Sequence, residues 1–166
     1  RIYSQGCLVQ AHAMPSLIEV AWLRLFRRKI GLETVAPQDL EPISDLLQLM
    51  EEGQADFTNT FRALAEGTAA DHFRDPKAFA PWQARWMQRR QQEQDPQAIM
   101  RACNPVYIPR NHRIEEMITA AVAGDFTLFE RLGIVLQQPF TEQSGAEDLR
   151  RPPDALEVVT ATFCGT

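Results

Sequence analysis

Lysine is nearly missing from this chain. It occurs only at Lys29 and Lys77, and neither stands in the Val-Ala-x-Lys setting of a phosphate-pairing lysine. The glycines, at positions 6, 31, 53, 67, 124, 133, 145 and 165, are too scattered for a loop whose backbone amides cradle a phosphate. No Asp-Phe-Gly triplet occurs; Gly124-Asp125-Phe126 only permutes its letters. Long apolar runs are absent as well: the longest, Leu17–Leu23, is interrupted by Glu19, against about 20 residues for a membrane span. No basic start precedes an apolar core, so no leader peptide is read. A chain opening on Arg1 reads as a piece of a longer protein. Cys7, Cys103 and Cys164 form no paired spacing with one another or with His12, His72 and His112, so no metal site is expected. Their odd number and wide spacing suit a reducing cytoplasm. A formal charge of −5 and a pI near 5.2 argue against nucleic acid as a partner, and nothing calls for a membrane.

What is present is an ordinary globular mixture. Hydrophobic residues make up 45% and charged residues 23%, enough for one domain that buries about 70% of its unfolded surface. The periodicity predicts an all-α fold: a single irregular helical bundle over 16–140, a loosely ordered start at 1–15, and an extended, mostly non-helical tail over 141–166. A first helix from Ser16 to Gly31 carries Leu17, Ile18, Ala21, Trp22, Leu25 and Phe26 as its buried stripe. Val20 and Leu23 widen that stripe until the helix is apolar nearly all round, so it belongs in a core or under a cover absent here. The basic cluster Arg24, Arg27, Arg28 and Lys29 reads as a solvated face. Asp39 starts a second helix with Leu40, Ile43, Leu46, Leu47 and Met50 on one face. Asp56 caps a third with Phe57, Phe61 and Leu64. Asp75-Pro76 and Asp95-Pro96 are start signals, a cap followed by proline at the first helical position. Trp82 and Trp86, at helical spacing behind the first of them, read as core. Asp125 caps a last helix with Phe126, Phe129, Leu132 and Leu136 inward, and Val158-Val159-Thr160 suits a short strand.

The densest side-chain chemistry lies in Asn104-Pro-Val-Tyr-Ile-Pro-Arg-Asn-His-Arg-Ile-Glu-Glu116. Pro105 and Pro109 hold the backbone extended and keep Asn104 and Ile108 out of helix. Asn111 is placed to cap a new helix with Ile114, Met117, Ile118, Ala121 and Val122 on one face. Asn104, Tyr107, Arg110, Asn111, His112, Arg113 and Glu115 are thus candidates for a structural lock or a docking surface. Arg110 and Arg113, with Glu115 and Glu116 beside them, suggest a buried polar network that sets register. His112 reads as a first-turn hydrogen-bonding residue rather than a ligand. In Phe57-Thr-Asn-Thr-Phe61, Thr58 and Thr60 are expected to satisfy backbone groups, and Asn59 to face a partner. A nucleophilic pair of Cys103 or Cys164 with His112 lacks any motif.

This stretch, followed by Ala-Gly-Asp-Phe at 123–126, resembles the C-terminal region of the selenoprotein O family. Gly-Gln-Ala-Asp-Phe-Thr-Asn-Thr-Phe-Arg-Ala-Leu at 53–64 and the closing Thr-Phe-Cys-Gly-Thr at 162–166 agree. The resemblance implies a protein-kinase-like parent that transfers AMP from ATP to Ser, Thr or Tyr of proteins with Mg or Mn. The nucleotide site, metal carboxylates and catalytic aspartate of that family lie upstream of the matched region. It follows that this chain carries no catalytic, cofactor-binding or metal-binding residue. Its partners are the upstream kinase-like domain and the parent's protein substrates, in a bacterial cytoplasm. Members of the family carry selenocysteine or cysteine near the C-terminus. The resemblance therefore implies a redox handle at Cys164, able to form a disulfide with a cysteine of the kinase-like body. The competing reading is a free-standing helical interaction module that binds a partner protein through its apolar first helix and has no enzymatic role.

Overall fold

The computed structural model describes residues 17–161, and among them no strand occurs. Helix α1 covers 17–29. It is followed by α2 (Leu40–Glu52), α3 (Phe57–Glu66), α4 (Pro76–Arg90), α5 (Pro96–Cys103), α6 (Asn111–Val122), α7 (Thr127–Val135) and the single turn α8 (Glu147–Arg150). Short 3-10 turns, Pro37–Asp39 and Ala69–His72, lead into α2 and follow α3. The all-α expectation holds.

Local chemistry sets the starts of α3, α4 and α5. The Asp56 carboxylate accepts the Asn59 N–H at 2.9 Å, Asp75 that of Lys77 at 3.0 Å, and Asp95 that of Ala98 at 2.9 Å. Proline occupies the first position of both α4 and α5, where its missing N–H costs nothing. At the far end of α1, Gly31 turns the chain with φ +79°, and its missing side chain is also required. A Cβ there would stand 2.8 Å from the Pro96 carbonyl oxygen. Gly31→Ala is therefore expected to cost about 2 kcal/mol from left-handed strain and overpacking. Gly133→Ala, in a helix with open space around it, is expected to gain up to about 1 kcal/mol. Thermal melts of the two variants should move in opposite directions; equal shifts would refute the steric account.

Two cores result. The larger gathers Phe26 and Ile30 with Ile43, Leu46 and Met50 of α2, Phe61 and Leu64 of α3, Phe79, Trp82 and Trp86 of α4, and Met100 of α5. Both indoles reach a backbone acceptor, Trp82 at Pro42 and Trp86 at Ile30, each at 2.7 Å, so neither N–H is stranded by burial. The smaller joins Val106 and Tyr107 to Leu132 and Val135 of α7, and to Ala146 and Leu149.

Several expectations need correction. Leu17, Ile18, Val20 and Leu25 of α1 are 62%, 60%, 67% and 47% exposed, whereas Phe26 is buried in the core with Trp22 and Leu23 partly buried against it. Within the basic cluster, Arg27 bonds Asp39 and Lys29 bonds Asn104, so these two are structural rather than solvated. Leu40 faces outward. Phe126 and Phe129 are exposed too, whereas α7 turns Leu132 inward as expected, with Val135 buried beside it. Asp125 accepts the Thr127 N–H at 2.9 Å without being the N-cap. The tail is mostly non-helical as expected, though the single turn α8 forms within it and buries Leu149. Residues 158–160 form no strand. The expectations for 1–15 and for Cys164 lie outside the described residues.

Candidate functional site

The segment 104–110 joins the two cores. Fully buried Asn104 donates to the backbone carbonyls of Lys29 at 2.8 Å and Phe61 at 3.1 Å, while its oxygen accepts from Lys29 Nζ at 3.2 Å. One side chain thereby ties α1, α3 and the end of α5. The Lys29 ammonium lies over the Phe57 and Phe61 rings, 5.4 and 5.1 Å from their centroids; burial pushes its pKa down, and the nearby Cys103 pushes the other way. Arg62 adds a second tie by donating to the carbonyls of Asn104 and Phe140. The backbone then crosses into the smaller core, where the N–H groups of Val106 and Tyr107 both donate to the Pro139 carbonyl. Tyr107 Oη exchanges hydrogen bonds with the backbone of Gln143, at 3.2 Å as donor and 3.0 Å as acceptor.

Asn104→Ala would remove the bonds to the Lys29 and Phe61 carbonyls and take the acceptor from Lys29 Nζ. The expected loss is about 1–3 kcal/mol, measured by urea denaturation. Asn104→Asp keeps the shape but replaces the donor by an acceptor, and is expected to lose at least as much. If both variants unfold with the parent chain, the segment is not held in this way.

Arg110 closes the segment with a fork onto Asp56. The two nitrogen–oxygen distances are both 2.9 Å, and a third contact reaches Asn59 Oδ1 at 3.3 Å. Burial opposes ionisation of Asp56, but the Arg110 hydrogen bonds, the Asn59 N–H and the Arg110 charge outweigh it and hold the carboxyl below its ordinary range. Asn59 in turn donates to the Arg150 carbonyl at 3.3 Å. The partner expected for Asn59 is thus this chain's own tail, and the partner of Arg110 is Asp56 rather than Glu115 or Glu116. Thr60 is fully buried and its hydroxyl finds no partner among the described residues, contrary to the capping role expected of it.

Two more candidates, Asn111 and His112, behave differently from expectation, while Arg113 finds the expected Glu116. Arg110, not Asn111, is the N-cap of α6, and no side chain caps that helix; Asn111 is its exposed first residue. His112 is 7% exposed, and its Nε2 has no partner among the described residues, so it is no first-turn hydrogen-bonding residue. Burial lowers its pKa, Arg113, Arg151 and Arg110 lower it further, and Glu157 opposes them. It lines a cavity of about 270 Å³ with Ile108, Pro109 and Glu157. Arg113 reaches Glu116 at 2.6 Å and the Asp148 carbonyl at 3.1 Å, pinning α6 to α8. Glu115 contributes its carbonyl, to the Thr119 hydroxyl.

Asn104, Tyr107 and Arg110 therefore meet in a polar seam between two cores, whereas Asn111 and Glu115 stay exposed outside it. Sequence reasoning missed Asp56 as the seam's anion, and also the lock on Asp39, which is fully buried between Arg27 and Arg89. Both aspartates look like ordinary helix-start residues in the sequence. Arginines hold both carboxylates, and no three His, Cys, Asp or Glu converge among the described residues.

No protein-family model matches the chain. It is 61% identical over 155 residues to the protein nucleotidyltransferase YdiU of Ruegeria sp. (strain TM1040), a match covering 93% of this chain and 33% of that protein. It is 56% identical over 155 residues to the YdiU protein of Ruegeria pomeroyi, with the same coverage. Against the YdiU protein of Rhizobium meliloti it is 43% identical over 164 residues, covering 91% of this chain and 34% of the relative. The chain spans about a third of the length of the curated relatives it matches.

Proposed function

We propose that this chain, which over its matched length belongs to the selenoprotein O family of YdiU proteins, is the non-catalytic C-terminal helical portion of a protein nucleotidyltransferase. The whole protein would transfer AMP from ATP to Ser, Thr or Tyr hydroxyls of other proteins, using Mg or Mn. Its pseudokinase body would hold the nucleotide, and the present helices would brace it. The observation that carries this reading is the match itself: 43–61% identity over nearly all of this chain, yet only about a third of each relative.

The seam supports a bracing role. Asn104, Arg62, Arg110 and Tyr107 spend their polar groups on this chain's own backbone and on Asp56. That arrangement gives rigidity, whereas a catalytic group needs an open face toward a substrate. Cys164 would serve as the redox thiol. No helix of the described residues is long and apolar enough to cross a membrane, and the proposed location is the cytoplasm.

Two measurements test the reading. The whole protein, incubated with magnesium and ATP labelled at the α-phosphate, is expected to label protein hydroxyls, while the chain alone gives no heat of binding with Mg-ATP. Clear Mg-ATP affinity of the isolated chain would contradict the division of labour, and an unlabelled product from the whole protein would contradict the activity.

A further inference from the structure

Helix α6 buries one side chain, His112, at its first turn. Beyond that turn Ile118 is 46% and Val122 85% exposed. They stand four residues apart and so share a side of the helix. Gly124, at φ +92°, folds the chain back into α7, whose start leaves Phe126 and Phe129 55% and 57% exposed. Met117 and Leu128 of the same pair of helices pack on the smaller core, so that core already takes the other side. From Met117 to Phe129 the only charged residue is Asp125.

A helix of about 12 residues is marginal in water without tertiary cover, and an apolar face of this kind must pack on another layer to stabilise it. None of the described residues covers it. About two thirds of the relatives' length lies outside the match. We infer that the face formed by Ile118, Val122, Phe126 and Phe129 is an internal docking surface, occupied in the whole protein by an apolar surface of the remaining two thirds of the chain. The near absence of charge fits packing against protein interior and offers nothing to an ionic partner. This inference rests on reading the chain as part of a larger transferase.

The test is hydrogen exchange of backbone amides 114–129, in this chain and in the whole protein. These amides are expected to exchange about tenfold or more slowly in the whole protein. Val122→Glu with Phe126→Glu, placed in the whole protein, should restore fast exchange there while leaving amides around Trp86 protected. Equal exchange in both forms would overturn the inference. So would protection in the isolated chain that grows with its concentration, because a second copy would then be the occupant. Nucleotide transfer, measured on the same samples, separates the two proposals: protection without transfer keeps the docking surface and removes the activity, and transfer without protection does the reverse.

Discussion

Asp39→Ala is expected to lower the stability of this chain by about 3–5 kcal/mol, the usual result of removing one partner from a buried ion cluster. The carboxylate is fully buried and accepts from Arg27 Nε and Arg89 Nε at 2.9 Å each, and from the Ala36 N–H at 2.8 Å. Arg27 belongs to α1, Arg89 to α4, and Asp39 stands at the start of α2, so one group joins three helices. Burial works against the Arg89 charge, but Asp39 and Glu93 more than offset it, and the Arg89 pKa stands above its ordinary value. Without Asp39, two guanidinium groups only 13% and 11% exposed keep their charge in poor solvent. For a chain of this size the loss corresponds to a melting temperature lower by about 6–20 °C. Replacing Arg27 as well (Asp39→Leu with Arg27→Met) should recover part of it, since Arg89 keeps its pair with Glu93 at 3.1 Å and no guanidinium is left without a partner. A loss within about 1 kcal/mol for Asp39→Ala, the range of an exposed pair, would show that the cluster is solvated after all.

How far the sequence disclosed this fold depends on the distance between the groups that cooperate. The starts of α4 and α5 were legible because the cap and the proline are neighbours in the chain. The core positions Phe79, Trp82 and Trp86 were legible because helical spacing is itself a local property. The seam was half legible. Prolines 105 and 109 announced a rigid segment, and the clustering of Asn104, Tyr107, Arg110 and Arg113 announced polar work. The partners of that segment lie far off in the chain: Asp56 is 54 residues from Arg110, and Lys29 is 75 from Asn104. No periodicity links such positions. Nearby Glu115 and Glu116 were therefore the natural but wrong counter-ions for Arg110. The outward Phe126 and Phe129 have another origin: an apolar stripe reports that a side is to be covered, without saying whether this chain supplies the cover. The same holds for Leu17, Ile18 and Val20 of α1.

Arg110→Met should cost about 2–3 kcal/mol near neutral pH, between the values for exposed and buried pairs, because it strands the Asp56 carboxylate in a half-buried site, and this cost should depend on acid in a defined direction. In the native chain the Asp56 pKa lies below its ordinary value of about 3.9. The unfolded state therefore binds this proton more readily, and the stabilisation is complete above that ordinary value. It is lost as the pH falls through the folded pKa. In the variant the carboxyl has burial without a guanidinium, so its ionised form is disfavoured and protonation relieves it. The stability gap between the two proteins is then widest near neutrality. It narrows in acid, first as the stranded carboxyl of the variant takes up its proton and then as Asp56 of the native chain does. In an Asp56→Asn background the gap caused by Arg110→Met should be nearly flat over the same range. Denaturant titrations at a series of pH values give the gap directly. A gap that stays constant down to about pH 2 would mean that Arg110 stabilises the seam through packing and its contact with Asn59, with the fork onto Asp56 contributing nothing.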